Sequence, residues 1–153
     1  MPEPINVEVS TIIDAEPETL YDMVTDVTRM GEWSPETRSA EWLDPAATAR
    51  VGARFKGTNE LGPNTWSTKP TVTVAERGAE FAFEVPGKSG PTWRYRFERV
   101  DGGTRVTESV HQQRVSPFFI RMLQKRAGVT DRAGNLRQNI EITLDNLARA
   151  ATA

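Results

Sequence analysis

One long amphipathic helix pattern runs through this chain, at its C-terminal end. Ala133, Leu136, Ile140, Thr143, Leu144 and Leu147 recur at helical spacing over residues 130–150 and mark a single apolar face. At about 1.5 Å per residue such a helix is roughly 30 Å long, enough to cross a small domain. Most of the chain between residues 38 and 112 reads instead with a period of two, as short strands separated by turn residues. Consecutive strands joined by tight turns form an antiparallel sheet with one apolar face, and that face has to be covered. The terminal helix is the only long element available to cover it.

The rest of the chain fits around that constraint. Ile5, Val7, Val9, Thr11 and Ile13 predict a first strand, with Asn6, Glu8 and Ser10 on its other face. Pro17 suits the first turn of a helix, and Glu16 and Glu18 favour its dipole there. The spacing of Leu20, Met23, Val24, Val27 and Met30 predicts a helix over residues 17–26 and a short second one ending near Trp33. Ser34-Pro35 stops it, because the residue before proline avoids the helical region.

Six further strands are expected, at residues 38–43, 53–60 and 66–76 and around Phe83, Tyr95 and Glu108. Pro70, inside the fourth strand of the chain, marks an edge or a bulge. Leu61-Gly62-Pro63-Asn64 and Asp101-Gly102-Gly103 are turn chemistry. The Gly87-Lys88-Ser89-Gly90 segment lacks the full spacing of a phosphate loop and reads as a hairpin loop. Ser116-Pro117 opens a short helix ending near Gly128, and Thr130 is placed to cap the last one.

The expected architecture is therefore a single α+β domain over residues 1–153. A curved antiparallel sheet of about seven strands wraps on the C-terminal helix, and two short helices after the first strand close one side. A strongly curved sheet on a single helix leaves a hollow between them, and such hollows hold ligands.

Composition narrows what the hollow can serve. With no Cys and one His among 153 residues, disulfides, thiolate chemistry and multi-His metal sites are excluded. No cofactor is expected. The formal net charge of −2 offers no basic excess for nucleic acid. No run reaches the ~18 apolar residues of a membrane span. Met1-Pro2-Glu3-Pro4 lacks the basic and apolar regions of a secretion signal. A cytoplasmic protein without integral membrane association is expected. Charge is uneven, from −9 over residues 1–44 to +5 over residues 114–137. Solvated faces account for this as simply as steering of a charged partner does.

Polar residues on apolar faces are the candidates for a site, because an unpaired buried polar group costs a few kcal/mol and needs a partner. By alternation, Asn59, Thr68, Tyr95 and Glu108 point the same way as the apolar residues of their own strands, and Phe55, Trp66, Phe83 and Trp93 are expected beside them. Arg132 and Asn135 lie beside the helical stripe that carries Leu136 and Ile140. These twelve residues form the expected cavity wall, with a Glu108–Arg132 pair and Asn59 near it. The cluster can fix a ligand's carbonyl or hydroxyl, and a desolvated Glu108 can act as acid or base. It can equally be an ion pair that only ties helix to sheet. Trp33 and Trp42 read as core packing, whereas Trp66 and Trp93 either line or fill the hollow. His111 alternates outward with Thr107 and Ser109, away from any chemistry inside. Phe118, Phe119, Ile120, Met122 and Leu123 with Arg121, Lys125 and Arg126 suit a helix on the sheet rim, a gate, or a membrane-surface contact.

These residues also carry a resemblance. Ile13-Asp14-Ala15, Val24-Thr25-Asp26-Val27, Met30-Gly31-Glu32-Trp33-Ser34-Pro35-Glu36 and Val51-Gly52-Ala53-Arg54-Phe55-Lys56-Gly57 are similar to stretches of the SRPBCC superfamily, also called START-like or birch-pollen-allergen-like. Trp66-Ser67-Thr68, Phe81-Ala82-Phe83, Trp93-Arg94-Tyr95, Gly102-Gly103-Thr104-Arg105-Val106-Thr107-Glu108, Asp131-Arg132 and Asn135 extend the match along nearly the whole chain. It resembles most the actinobacterial polyketide cyclase/dehydrase-like branch. The resemblance implies a helix-grip fold and a small hydrophobic partner, a lipid or polyketide-like molecule held between sheet and helix. Two alternatives stay open: a cyclase or dehydratase with Glu108 as acid/base, and an interaction protein whose cavity is filled by its own side chains. Monomer and homodimer are both compatible with the sequence.

Overall fold

The computed structural model describes residues 4–44 and 47–153. Residues 1–3, read above for a targeting signal, lie outside that range. The element order is β1 (Ile5–Ile13), α1 (Pro17–Thr25), a 3-10 turn (Val27–Arg29), α2 (Met30–Trp33), β2 (Thr37–Trp42), β3 (Phe55–Leu61) and β4 (Asn64–Thr68). Then follow β5 (Thr71–Glu76), β6 (Glu80–Glu84), β7 (Thr92–Val100), β8 (Gly103–Gln112), α3 (Phe118–Arg126) and α4 (Arg132–Thr152).

The strands form two antiparallel sheets, one in the order β1-β8-β7-β6-β5 and one in the order β2-β3-β4. The single continuous sheet expected is broken at Pro70. The run expected as one strand over residues 66–76 is two, β4 and β5, separated by Lys69 and Pro70. Proline has no N–H to give a ladder, so the chain ends one sheet there and starts the other. The two sheets meet at this corner: Phe55 N–H donates to the Pro70 carbonyl at 3.2 Å and Val72 N–H to the Ala53 carbonyl at 2.8 Å. A register shift between Val72 and Val74 bends β5 further.

Strict alternation on β8 buries Thr104, Val106, Glu108, Val110 and Gln112, between β1 on one side and β7 on the other. The β7–β8 turn requires glycine at Gly103, where φ is +133° and a Cβ would meet the Ile13 carbonyl oxygen at 2.1 Å.

α4 buries Leu136, Ile140, Thr143, Leu144 and Leu147. Each large apolar side chain removed from water contributes about 1.5–3 kcal/mol. Its cap is Asp131, one residue beyond the expected Thr130: the Asp131 side chain accepts from the Gly134 N–H at 3.0 Å. The helix packs mainly along β1 and against α2. The remaining strands curve away from it, and the hollow lies in that divergence.

Inward-facing aromatics divide along β6 and β7. Tyr21 of α1 stacks edge-on against Phe81 and Phe97, with centroids 6.4 and 6.0 Å apart, and this half of the interior is solid. Phe83, Trp93 and Tyr95, farther along the same strands, face open space.

Candidate functional site: the cavity between sheet and terminal helix

The open half is a cavity of about 650 Å³. A volume of this size suits a drug-sized molecule. The interior is therefore not filled by the protein's own side chains. β3 contributes Phe55 and Asn59, β4 Trp66 and Thr68, β6 Phe83, β7 Trp93 and Tyr95, β8 Glu108, and α4 Arg132, Leu136 and Ile140. Asn135, expected in this wall, is absent from it. One helical position beyond the lining stripe, its carboxamide oxygen instead accepts from Arg132 Nη1 at 2.5 Å.

The charged groups in the wall do not pair as expected. Arg132 does not bond Glu108. Its guanidinium grips Glu36, with Nη1 to Oε2 at 2.9 Å and Nη2 to Oε1 at 2.7 Å. Asn139 Nδ2 donates to the same carboxylate at 3.1 Å. The planar fork of arginine matches a carboxylate, and the carboxylate it meets is that of Glu36. Asn59 is likewise engaged elsewhere, its Oδ1 accepting from Thr37 Oγ1 at 3.3 Å.

Glu108 stands apart on the floor of the cavity, 3% exposed. Its cross-strand neighbours are Val9 on β1 and Tyr95 on β7. The Tyr95 hydroxyl hydrogen-bonds its carboxyl, but Oε1 has no partner among the described residues. Burial pushes the Glu108 pKa up to about 8, against the opposing pull of the Tyr95 hydrogen bond. Burial, with Glu108 beside it, also holds the Tyr95 hydroxyl well above its ordinary range. At neutral pH both groups are predominantly protonated and uncharged.

Other polar groups at the wall have their own partners. Gln112 Nε2 donates to Ser116 Oγ at 2.9 Å and to the Arg114 carbonyl at 3.0 Å, and Thr143 Oγ1 donates to the Asn139 carbonyl at 2.8 Å. His111 is exposed and faces Gln113, as its alternation implies. Trp33 is buried under the Arg29 guanidinium, and Trp42 packs edge-on to Phe55 at 5.7 Å.

α3 lies over one end of the cavity. Ile120, Leu123 and Gln124 reach its lining, while Phe118 and Phe119 are exposed. The helix rests on the β3–β4 turn: Asn64 Nδ2 donates to the Leu123 carbonyl at 2.9 Å. Gly62, at φ +57°, leaves room there that a Cβ would take from Ala127, 2.9 Å away.

Glu36 is the principal wall residue that pattern reasoning misses. It sits in the loop between α2 and β2, directly after Pro35, where no period assigns a face. Its place in the run from Met30 to Glu36 was the only signal in the sequence.

Comparison with known proteins agrees with this geometry. A profile of the family described as "Polyketide cyclase / dehydrase and lipid transport" matches residues 4–152. No curated protein matches the sequence. Among solved structures, the Polyketide_cyc-like protein Cgl2372 from Corynebacterium glutamicum is 29% identical, with a TM-score of 0.60 over 99% of this chain and 91% of that one. TTHA0849 from Thermus thermophilus is 19% identical, with a TM-score of 0.71 over 96% and 97%. Ginseng major latex-like protein 151 from Panax ginseng is 10% identical, with a TM-score of 0.74 over 99% and 100%. The last two likenesses concern fold alone.

Proposed function

Because this chain belongs to the polyketide cyclase / dehydrase and lipid transport family and has its helix-grip fold, we propose that it binds a small hydrophobic or amphipathic molecule, lipid or polyketide-like, between the sheet and α4. The observation that carries this reading is the cavity itself: about 650 Å³ with a mostly apolar wall. Burying apolar ligand surface there contributes about 25 cal/mol per Å² before the costs of association.

Binding accounts for the wall better than catalysis does. Glu108 and Tyr95 are both held protonated by burial, and the Glu36 carboxylate is spent on Arg132 and Asn139. The site thus offers a bound oxygen two hydrogen-bond donors within a mostly apolar wall.

Native mass spectrometry of the purified protein tests the reading. The expected result is a co-purifying small molecule, or one-to-one uptake of added long-chain or polycyclic compounds without their conversion. A protein that stays empty against a broad panel of such compounds refutes it.

A further inference from the structure

We propose that Glu108 and Tyr95 form a seat for a neutral oxygen, the carbonyl or hydroxyl of an otherwise apolar ligand, and that the cavity discriminates against ligands with a charged end. This deepens the binding reading above and rests on it. The starting point is the unpartnered Glu108 Oε1, on a side chain only 3% exposed that lines the cavity. Buried polar atoms are nearly always paired, and one left over inside a cavity points to a group that arrives from outside.

The surroundings decide what that group is. Among the described residues, three ionisable side chains line the cavity: Glu36, Arg132 and Glu108. The first two neutralise each other through two hydrogen bonds, at 2.7 and 2.9 Å. A ligand carboxylate at Glu108 would therefore be buried with no free counter-charge, a costly arrangement. A ligand ammonium would have to ionise Glu108 and lose its own hydration at the same time. A ketone or hydroxyl oxygen avoids both costs. It can accept a hydrogen bond from the protonated carboxyl at Oε1, while the Tyr95 hydroxyl serves the same carboxyl. The raised pKa of Glu108, about 8, keeps that proton in place at neutral pH.

The test is a set of matched twelve-carbon probes, 2-dodecanone, dodecanoate and dodecylamine, each below its micelle threshold at pH 7. Affinity is read from tryptophan fluorescence, with naphthalene as a purely apolar control. The ketone is expected to bind at least tenfold more tightly than either charged probe. Glu108→Leu, of similar volume and without the polar group, should leave naphthalene binding intact but lose the ketone's tight binding. Glu108→Gln, neutral and still a donor, should keep it. Dodecanoate or dodecylamine binding as tightly as the ketone overturns the inference, and so does an unchanged ketone affinity in Glu108→Leu. If naphthalene binds and the three probes do not differ, this inference alone falls. If neither naphthalene nor any probe binds, the binding reading falls with it.

Discussion

Arg132, in the first turn of α4, and Glu36, in the loop before β2, are joined by two hydrogen bonds of 2.9 and 2.7 Å across the cavity wall. Their side chains are only 18% and 14% exposed. The pair fastens the start of the terminal helix to the entry of the three-stranded sheet. Removing one partner strands the other charge in a largely dry place, which costs about 3 kcal/mol. Arg132→Met and Glu36→Gln should each lower the urea midpoint accordingly, and the double variant should recover most of the loss. Single variants that unfold with the parent would show that the pair contributes nothing to holding the helix.

The contrast between Glu108 and Glu36 shows how far the sequence carries. Glu108 lies on a strand with perfect alternation, so its inward direction is legible from Val106 and Val110 alone. Its partner is not legible. Arg132 has the right sign, but which carboxylate it reaches depends on how a loop residue and a helix terminus meet in space. The same limit applies to the aromatics. Phe81 and Phe83 share a strand and an inward side by pattern, yet Phe81 packs against Tyr21 and Phe83 faces the cavity. Packing against α1 decides that, and no period encodes it. Pro70 signalled a disturbance, and the division into two sheets is what its missing N–H produces.

Stability should fall as pH rises through the neutral range. Glu108 has its pKa pushed up to about 8 from an ordinary 4.5. Between those values the folded protein keeps a proton that the unfolded chain has released. The contribution is favourable at low pH, declines from about pH 4.5 to 8, and levels off above that. Glu108→Gln has no such proton. Relative to the parent it should gain on the order of 3 kcal/mol between about pH 5 and pH 8, read from urea midpoints. A difference between the two proteins that stays constant with pH would contradict a raised Glu108 pKa.

Ligand uptake should be visible in two of the four tryptophans. Trp66 and Trp93 line the cavity, whereas Trp33 is 2% exposed in the core and Trp42 leans on Phe55. A Trp66→Phe/Trp93→Phe variant should lose the emission change on binding while mass spectrometry still detects the complex. A Trp33→Phe/Trp42→Phe variant should keep that change. The reverse pattern would put the ligand outside the cavity.

Filling the hollow should separate binding from folding. Thr68 lines the cavity on β4 and pairs with Gly57 of β3, so a larger side chain there enters open space rather than a packed core. Thr68→Trp is expected to cut ligand affinity at least tenfold while changing stability by less than about 1.5 kcal/mol, because it adds volume where nothing has to be displaced. Leu144→Ala is the counterpart. Leu144 is 2% exposed in the solid part of the core and does not line the cavity. Its truncation should cost about 2–5 kcal/mol and leave affinity in the folded protein within threefold of the parent. Calorimetry of binding beside urea unfolding distinguishes the two outcomes. If Thr68→Trp binds as the parent does, the ligand does not occupy the space beside β3 and β4.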